Sequence, residues 1–184
     1  MLSVRRLVTS MRFRLGDMQG ARFSDFELIE AINRAASLLF ARMGARFVWA
    51  ASKKTVLIVD EAAGSALLPR DFHSMRRVTR EAEGDVDPGL EVKEYRIIGN
   101  EFYATPGAYG MEYYYIPRPV FNPDNELDAP EAVSPYLEMV ALAIINNAPN
   151  GASQISEECC EALAGGEVSR FPEFGPVEIL GGKL

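Results

Sequence analysis

Histidine and cysteine are nearly missing from this chain, with one His and two Cys in 184 residues. A histidine-based metal cluster is excluded by that count. His73, in Asp71-Phe72-His73-Ser74, reads as a turn residue; as a general base it would need an orienting partner that the sequence does not supply. Cys159 and Cys160 are neighbours in a predicted helix, where successive side chains diverge by about 100°, so they are not expected to bridge each other. They read as small buried hydrophobes in a reducing compartment. The patterns CxxC, HExxH, GxSxG and GxxxxGK[ST] are all missing, which leaves little support for a hydrolase or a nucleotide-dependent enzyme. No cofactor and no metal are expected. Long apolar runs are missing too. The most apolar stretch, 136–145, falls short of the roughly 18 to 20 residues that cross a bilayer and reads as a buried helix. The first 17 residues carry neither an apolar core nor a cleavage site of the secretory kind, so no signal peptide is expected.

What the chain has is apolar content and unevenly placed charge. With 48% hydrophobic residues it can bury one core, or one core and a small subdomain. The net charge of −7 hides a polarity: residues 1–50 hold eight arginines against four carboxylates, and residues 121–184 hold eleven carboxylates against Arg170 and Lys183. Such halves can pair within one chain or between neighbours in a head-to-tail ring. The carboxylates Asp124, Glu126, Asp128 and Glu131 lack the spacing of an EF-hand and read as a solvated loop.

The best-marked element is 22–46. Ser24 and Glu27 form a capping box, Phe23 is placed to staple the first turn, and Phe26, Ile29, Ile32, Ala36, Leu39, Phe40 and Met43 recur at helical spacing, with Gly44 as the expected stop. Before it, 2–15 is amphipathic, with Val4, Leu7, Val8, Met11 and Leu15 on one stripe and Arg5, Arg6, Arg12 and Arg14 on its flanks. The two form a predicted helical hairpin. From 47 to about 120 the period shortens, with strands expected at 47–51, 55–59, 66–68, 75–80, 90–98, 101–104 and 110–116. Gly99-Asn100 marks a two-residue hairpin loop. Tyr113, Tyr114 and Tyr115 alternate faces on a strand, so one side is expected in the core and the other exposed or at an interface. Ser134-Pro135 opens a third helix to about Ala148, ended by Pro149-Asn150-Gly151, and Ser153 is placed as cap of a fourth. The remainder, 167–184, sets Phe171, Phe174, Val177, Ile179 and Leu180 among Pro and Gly, and reads as an extended arm that docks on a partner. The expected fold is α+β: a four-helix bundle of two N-terminal and two C-terminal helices (1–46 and 121–166) with an inserted antiparallel β region (47–120) and an extended C-terminal arm. Leu7, Met11, Ile29, Ile32, Leu39, Leu137, Val140, Ile144 and Ile155 are its expected core.

This order of elements resembles the head-tail adaptor (connector) proteins of tailed bacteriophages. The residues that carry the resemblance are Arg12, Arg14, Leu15, Gly16, Asp17, Phe23, Ser24, Asp25 and Asn33 of the first two helices. A second block, YYYIPRPVFNPDNELDAPEAVSPYLEMVALAIINNA, is similar to the family's Tyr- and Pro-bearing strand, acidic loop and long apolar helix. The resemblance implies a virion structural protein without catalysis, made in the host cytoplasm and placed at the head-tail junction. It implies a homododecameric ring that docks on the portal protein, extends the DNA channel and offers a platform to a tail or nozzle protein. DNA would pass the lumen without sequence recognition, and no membrane would be involved. Docking on the portal or a neighbour is expected from the arm residues, and subunit or phosphate contacts from Arg5, Arg12 and Arg14. Two other readings stand beside it: a nucleic-acid-binding module using the arginine-rich front, and an enzyme with a site near His73 in the β region.

Overall fold

A computed structural model describes residues 1–46, 48–81, 91–146 and 149–164. In chain order the elements are β1 (Leu2–Ser3), α1 (Val4–Leu15), α2 (Asp25–Ala45), a 3-10 turn (Trp49–Ala51), β2 (Ser52–Val59), β3 (Ser65–Leu67), β4 (Phe72–Arg80), β5 (Arg96–Ile98), β6 (Glu101–Tyr103), β7 (Gly107–Tyr115), β8 (Glu126–Leu127), a second 3-10 turn (Glu131–Val133), α3 (Ser134–Ile145) and α4 (Pro149–Ala164). They fall into two compact units, Ser52–Tyr115 and, separately, Met1–Ala51 with the described residues from Ile116 on.

The expected four-helix bundle with one inserted antiparallel region is not the fold found. Among the described residues there are four α-helices and eight strands in three sheets, and one of those sheets belongs to the helical unit. Its origin is local. Ser3, expected inside the first helix, is instead its N-cap, with ψ 116° and a hydroxyl that accepts from the Arg6 amide. Leu2 is therefore extended and pairs with Leu127, both side chains buried. The β residues likewise do not form one region. The order β2-β7-β4 makes one antiparallel sheet and β3-β6-β5 a second, because the three-residue strands pair only with one another.

In the helical unit α2 and α3 pack together, and α1 and α4 each pack on both. The capping box of Ser24 and Glu27 is formed; the Ser24 amide and hydroxyl hold the Glu27 carboxyl below its usual range. Leu7, Met11, Ile29, Ile32, Leu39, Leu137 and Val140 are buried, whereas Ile144 and Ile155 are only half-buried. Ile144 lies in the last turn of α3, beside a cleft lined by Glu27, Glu30 and Arg34. Phe26 is exposed, and Leu28 is fully buried on that first turn in its place. Gly44 does not stop α2; it is buried within the helix, which runs on to Ala45. Ser134 is the first residue of α3 rather than its cap, and Ser153 lies inside α4, which starts at Pro149.

In the β unit, the Gly99-Asn100 turn is present, with Gly99 at φ 62° and Ile98 paired to Glu101. β7 is the central strand of its sheet, paired with β2 at eight positions and with β4 at seven. Residues 47–51 do not form the expected strand: Trp49–Ala51 is a 3-10 turn, and Phe47 lies outside the described residues. Of the strand expected over 90–98, the described residues 91–98 form an isolated bridge at Glu91 to Thr79 and the strand Arg96–Ile98. Tyr113, Tyr114 and Tyr115 do not divide into a core side and an exposed side, because all three are buried.

Candidate functional site

The corner between α1 and α2 is built on one carboxylate. Gly16 caps α1 in the left-handed conformation, φ 65°, its amide donating to the Arg12 and Phe13 carbonyls, and the chain then turns Asp17 into a 4% exposed position. Asp17 Oδ1 accepts from the amides of Ala21 (2.8 Å) and Arg22 (3.0 Å), and Oδ2 from that of Phe23 (3.0 Å). Arg12 lies over the same loop, 3.3 Å from Asp17 Oδ2 and 2.5 Å from Asp25 Oδ1. Burial pushes the Asp17 carboxyl up, but the three amides and the Arg12 charge outweigh it, and the group lies below its ordinary value. An ionised Asp17 thus fixes residues 17–23 and sets where the capping box begins.

A polar seam joins the two chain segments of the helical unit. Asn33, on α2, grips the backbone of Val120 from both sides, its amide donating to the carbonyl (2.7 Å) and its oxygen accepting from the N–H (2.9 Å). Arg5 pairs with Asp124 (Nε to Oδ1 3.0 Å) and Arg6 with Glu131 (3.1 Å). Glu138, 6% exposed on α3, accepts from Ser10 (2.8 Å) and pairs with Arg14 (2.7 Å). Arg42 donates to Ser153 (2.6 Å) and pairs with Glu157; Arg46 pairs with Glu157 and with Glu161 (3.3 Å). The basic front and acidic back therefore meet within one chain.

The β unit holds a smaller cluster. Lys53 sits 2.6 Å from Asp71 and 4.0 Å above the Tyr115 ring, and the Tyr113 hydroxyl donates to Asp71 (3.1 Å). Burial raises the Asp71 carboxyl, yet Lys53 and Tyr113 bring it below its usual value. Glu112 is lowered by Lys54 first, with Arg76 adding to it. Each of these carboxylates faces a cation, an arrangement that ties strands together.

The residues singled out in the sequence separate clearly. Arg5, Arg12 and Arg14 each face a carboxylate of their own chain, and Asp124 and Glu131 of the acidic loop are engaged by arginines. Phe171, Phe174, Val177, Ile179 and Leu180 lie outside the described residues. His73 is exposed where the β4 register slips between Phe72 and Ser74. Cys159 and Cys160 are buried, their thiols pushed up to about 12 and about 11, chiefly by burial. Among the described residues, no three or more His, Cys, Asp or Glu side chains gather as a metal site, and no helix is long and apolar enough to cross a membrane. The anchoring role of Asp17 went unread in the sequence, where it enters with Leu15 and Gly16 among the residues of the resemblance. The available signal was an Asp directly after a capping Gly and a short loop before Ser24, where free amides need an acceptor. Comparison with protein-family models and with curated proteins gives no match.

Proposed function

We propose that this chain is a structural virion protein of the head-tail adaptor type, the subunit of a dodecameric ring that docks on the portal, extends the DNA channel and carries the tail attachment platform. The observation that carries the reading is the Asn33 grip on Val120. It joins the two sequence blocks on which the resemblance rests, and Arg14–Glu138 and the Arg12–Asp17–Asp25 corner use further residues of those blocks. Residues that resemble a family's motif thus act together as one scaffold instead of being scattered. The pairing of Arg5, Arg12 and Arg14 with carboxylates also lowers the positive charge on offer to phosphate, which fits a channel wall that DNA must slide past.

The test is assembly. The purified chain, alone and mixed with the portal protein encoded in its own genome, is imaged by negative-stain electron microscopy. Rings stacked on portal particles are the expected result, and a chain that stays monomeric and leaves the portal bare overturns the reading. Deleting 167–184 examines the docking role of Phe171, Phe174, Val177, Ile179 and Leu180. Portal binding should be lost while the helical circular-dichroism signal stays, and unchanged binding would move docking elsewhere.

A further inference from the structure

The four helices are not held by the same means. α1 buries Val4, Leu7, Val8 and Met11, and α3 buries Tyr136, Leu137 and Val140. From Gly151 on, the buried positions of α4 are Ala152, Ser156, Cys159, Cys160 and Leu163, so among these a single large aliphatic side chain is fully enclosed and Ile155 is half-buried. The hydrophobic stabilisation of a docked helix scales with apolar area removed from water, and small side chains supply little of it. On the α2 side a polar row runs along the margin of this contact. Arg42 of α2 and Arg46, the residue that caps its C-terminus one turn later, share Glu157, and Ser153 and Glu161 extend the row by one turn in each direction. Arg46 and Glu157 are 38% and 39% exposed, so this row stands in reach of solvent ions.

We infer that α4 is an electrostatically latched helix, which leaves α2 and α3 as a unit while the other helices of the helical unit stay packed. The latch is the Arg42/Arg46–Glu157 row, and release uncovers the stretch of α2 around Leu39, whose carbonyl lies 3.8 Å from Cys160 Sγ. Opening of this kind is a sub-global event, with a free energy below that of complete unfolding. It goes beyond the adaptor reading and does not depend on it. Salt is the natural lever: the screening length falls from about 10 Å at ~0.1 M to about 3 Å at ~1 M, and a partly exposed row weakens accordingly.

The two cysteines report on the state of the latch. Both thiols are buried and poorly ionised at neutral pH, so a thiol reagent reaches them only when α4 moves. The experiment uses the full chain at fixed pH and measures labelling of Cys159 and Cys160 by Ellman's reagent across a sodium chloride series, with hydrogen exchange followed by mass spectrometry. The labelling rate should rise about tenfold from low to molar salt, and by a similar factor at low salt in Glu157→Gln. Amides of α1 and α2 should keep their protection throughout. A labelling rate that equals the global unfolding rate in every condition overturns the proposal, as does loss of protection in α1, α2 and α4 together. If Glu157→Gln does not fold, the salt series on the unaltered chain decides alone.

Discussion

The helical unit and the β unit put their apolar and charged residues to different use. In the helical unit large aliphatic side chains line the faces between α1, α2 and α3, and arginines near the start of the chain reach carboxylates more than a hundred residues later, as Arg5 does to Asp124. In the β unit the core is aromatic, with Phe102 packed against Tyr95 and Tyr109 at 5.4 Å, while Val56, Ile58, Leu67 and Ile98 stand in solvent. The outward positions of β2 explain part of this. Val56 and Ile58 face the same way as Gly110 and Ala108 on the neighbouring strand, which offer them almost no side chain to pack on. Along Val56–Val59 only the face carrying Leu57 and Val59 is filled, whereas at the Tyr113–Tyr115 end of β7 both faces are.

Paired substitutions sharpen that contrast. Phe102→Ala, in the fully buried centre of the β unit, should cost about 3–5 kcal/mol, and Ile32→Ala, its counterpart in α2, about 2–5 kcal/mol. Hydrogen exchange should locate each loss in its own unit; a Phe102→Ala loss felt first in α2 would break the division into two cores. Asp17→Ala strips three amides of their acceptor and leaves Arg12 only Asp25 as a carboxylate partner, and denaturant titration should show a loss of about 3 kcal/mol. Ile58→Thr, at a position 74% exposed, should change stability by no more than about 0.5 kcal/mol.

Acid acts on both units in the same direction. Asp17 and Asp71 have carboxyls held below their ordinary value in the folded chain. Their contribution is therefore complete above the unfolded value, about 3.9, and drains away as pH falls through the folded one. Stability measured from pH 6 downward should decline below about pH 4, and Asp17→Asn should flatten that slope. An unchanged slope in Asp17→Asn would remove Asp17 from the balance.

Much of both units was readable where the signal is local. The capping box needs only Ser24 and Glu27 three residues apart, and the Gly99-Asn100 turn needs only a residue tolerant of positive φ between two β-prone runs. Both are present. Reading failed where a residue's role depends on something distant. Ser3 and Leu2 continue the first helix by pattern, yet Leu127 draws Leu2 into a strand. Gly44 has the chemistry of a stop, yet α2 continues through it into Ala45. Ile144 and Ile155 fit the apolar period as well as Ile32 does, and only packing separates the half-buried from the buried.

The same division holds for charge. The sequence by itself determined that arginines crowd the front and carboxylates the back, that histidine chemistry has one residue to work with, and that helices flank a β-rich middle. It could not say whether the opposite charges meet in one chain or between two, because Coulomb attraction depends on separation in space and composition holds no distances. Tertiary structure decided that. Packing α1 and α2 against the segment from Ile116 onward brings Arg5, Arg6, Arg14, Arg42 and Arg46 within reach of Asp124, Glu131, Glu138, Glu157 and Glu161, and Asn33 closes on a backbone eighty-seven positions away.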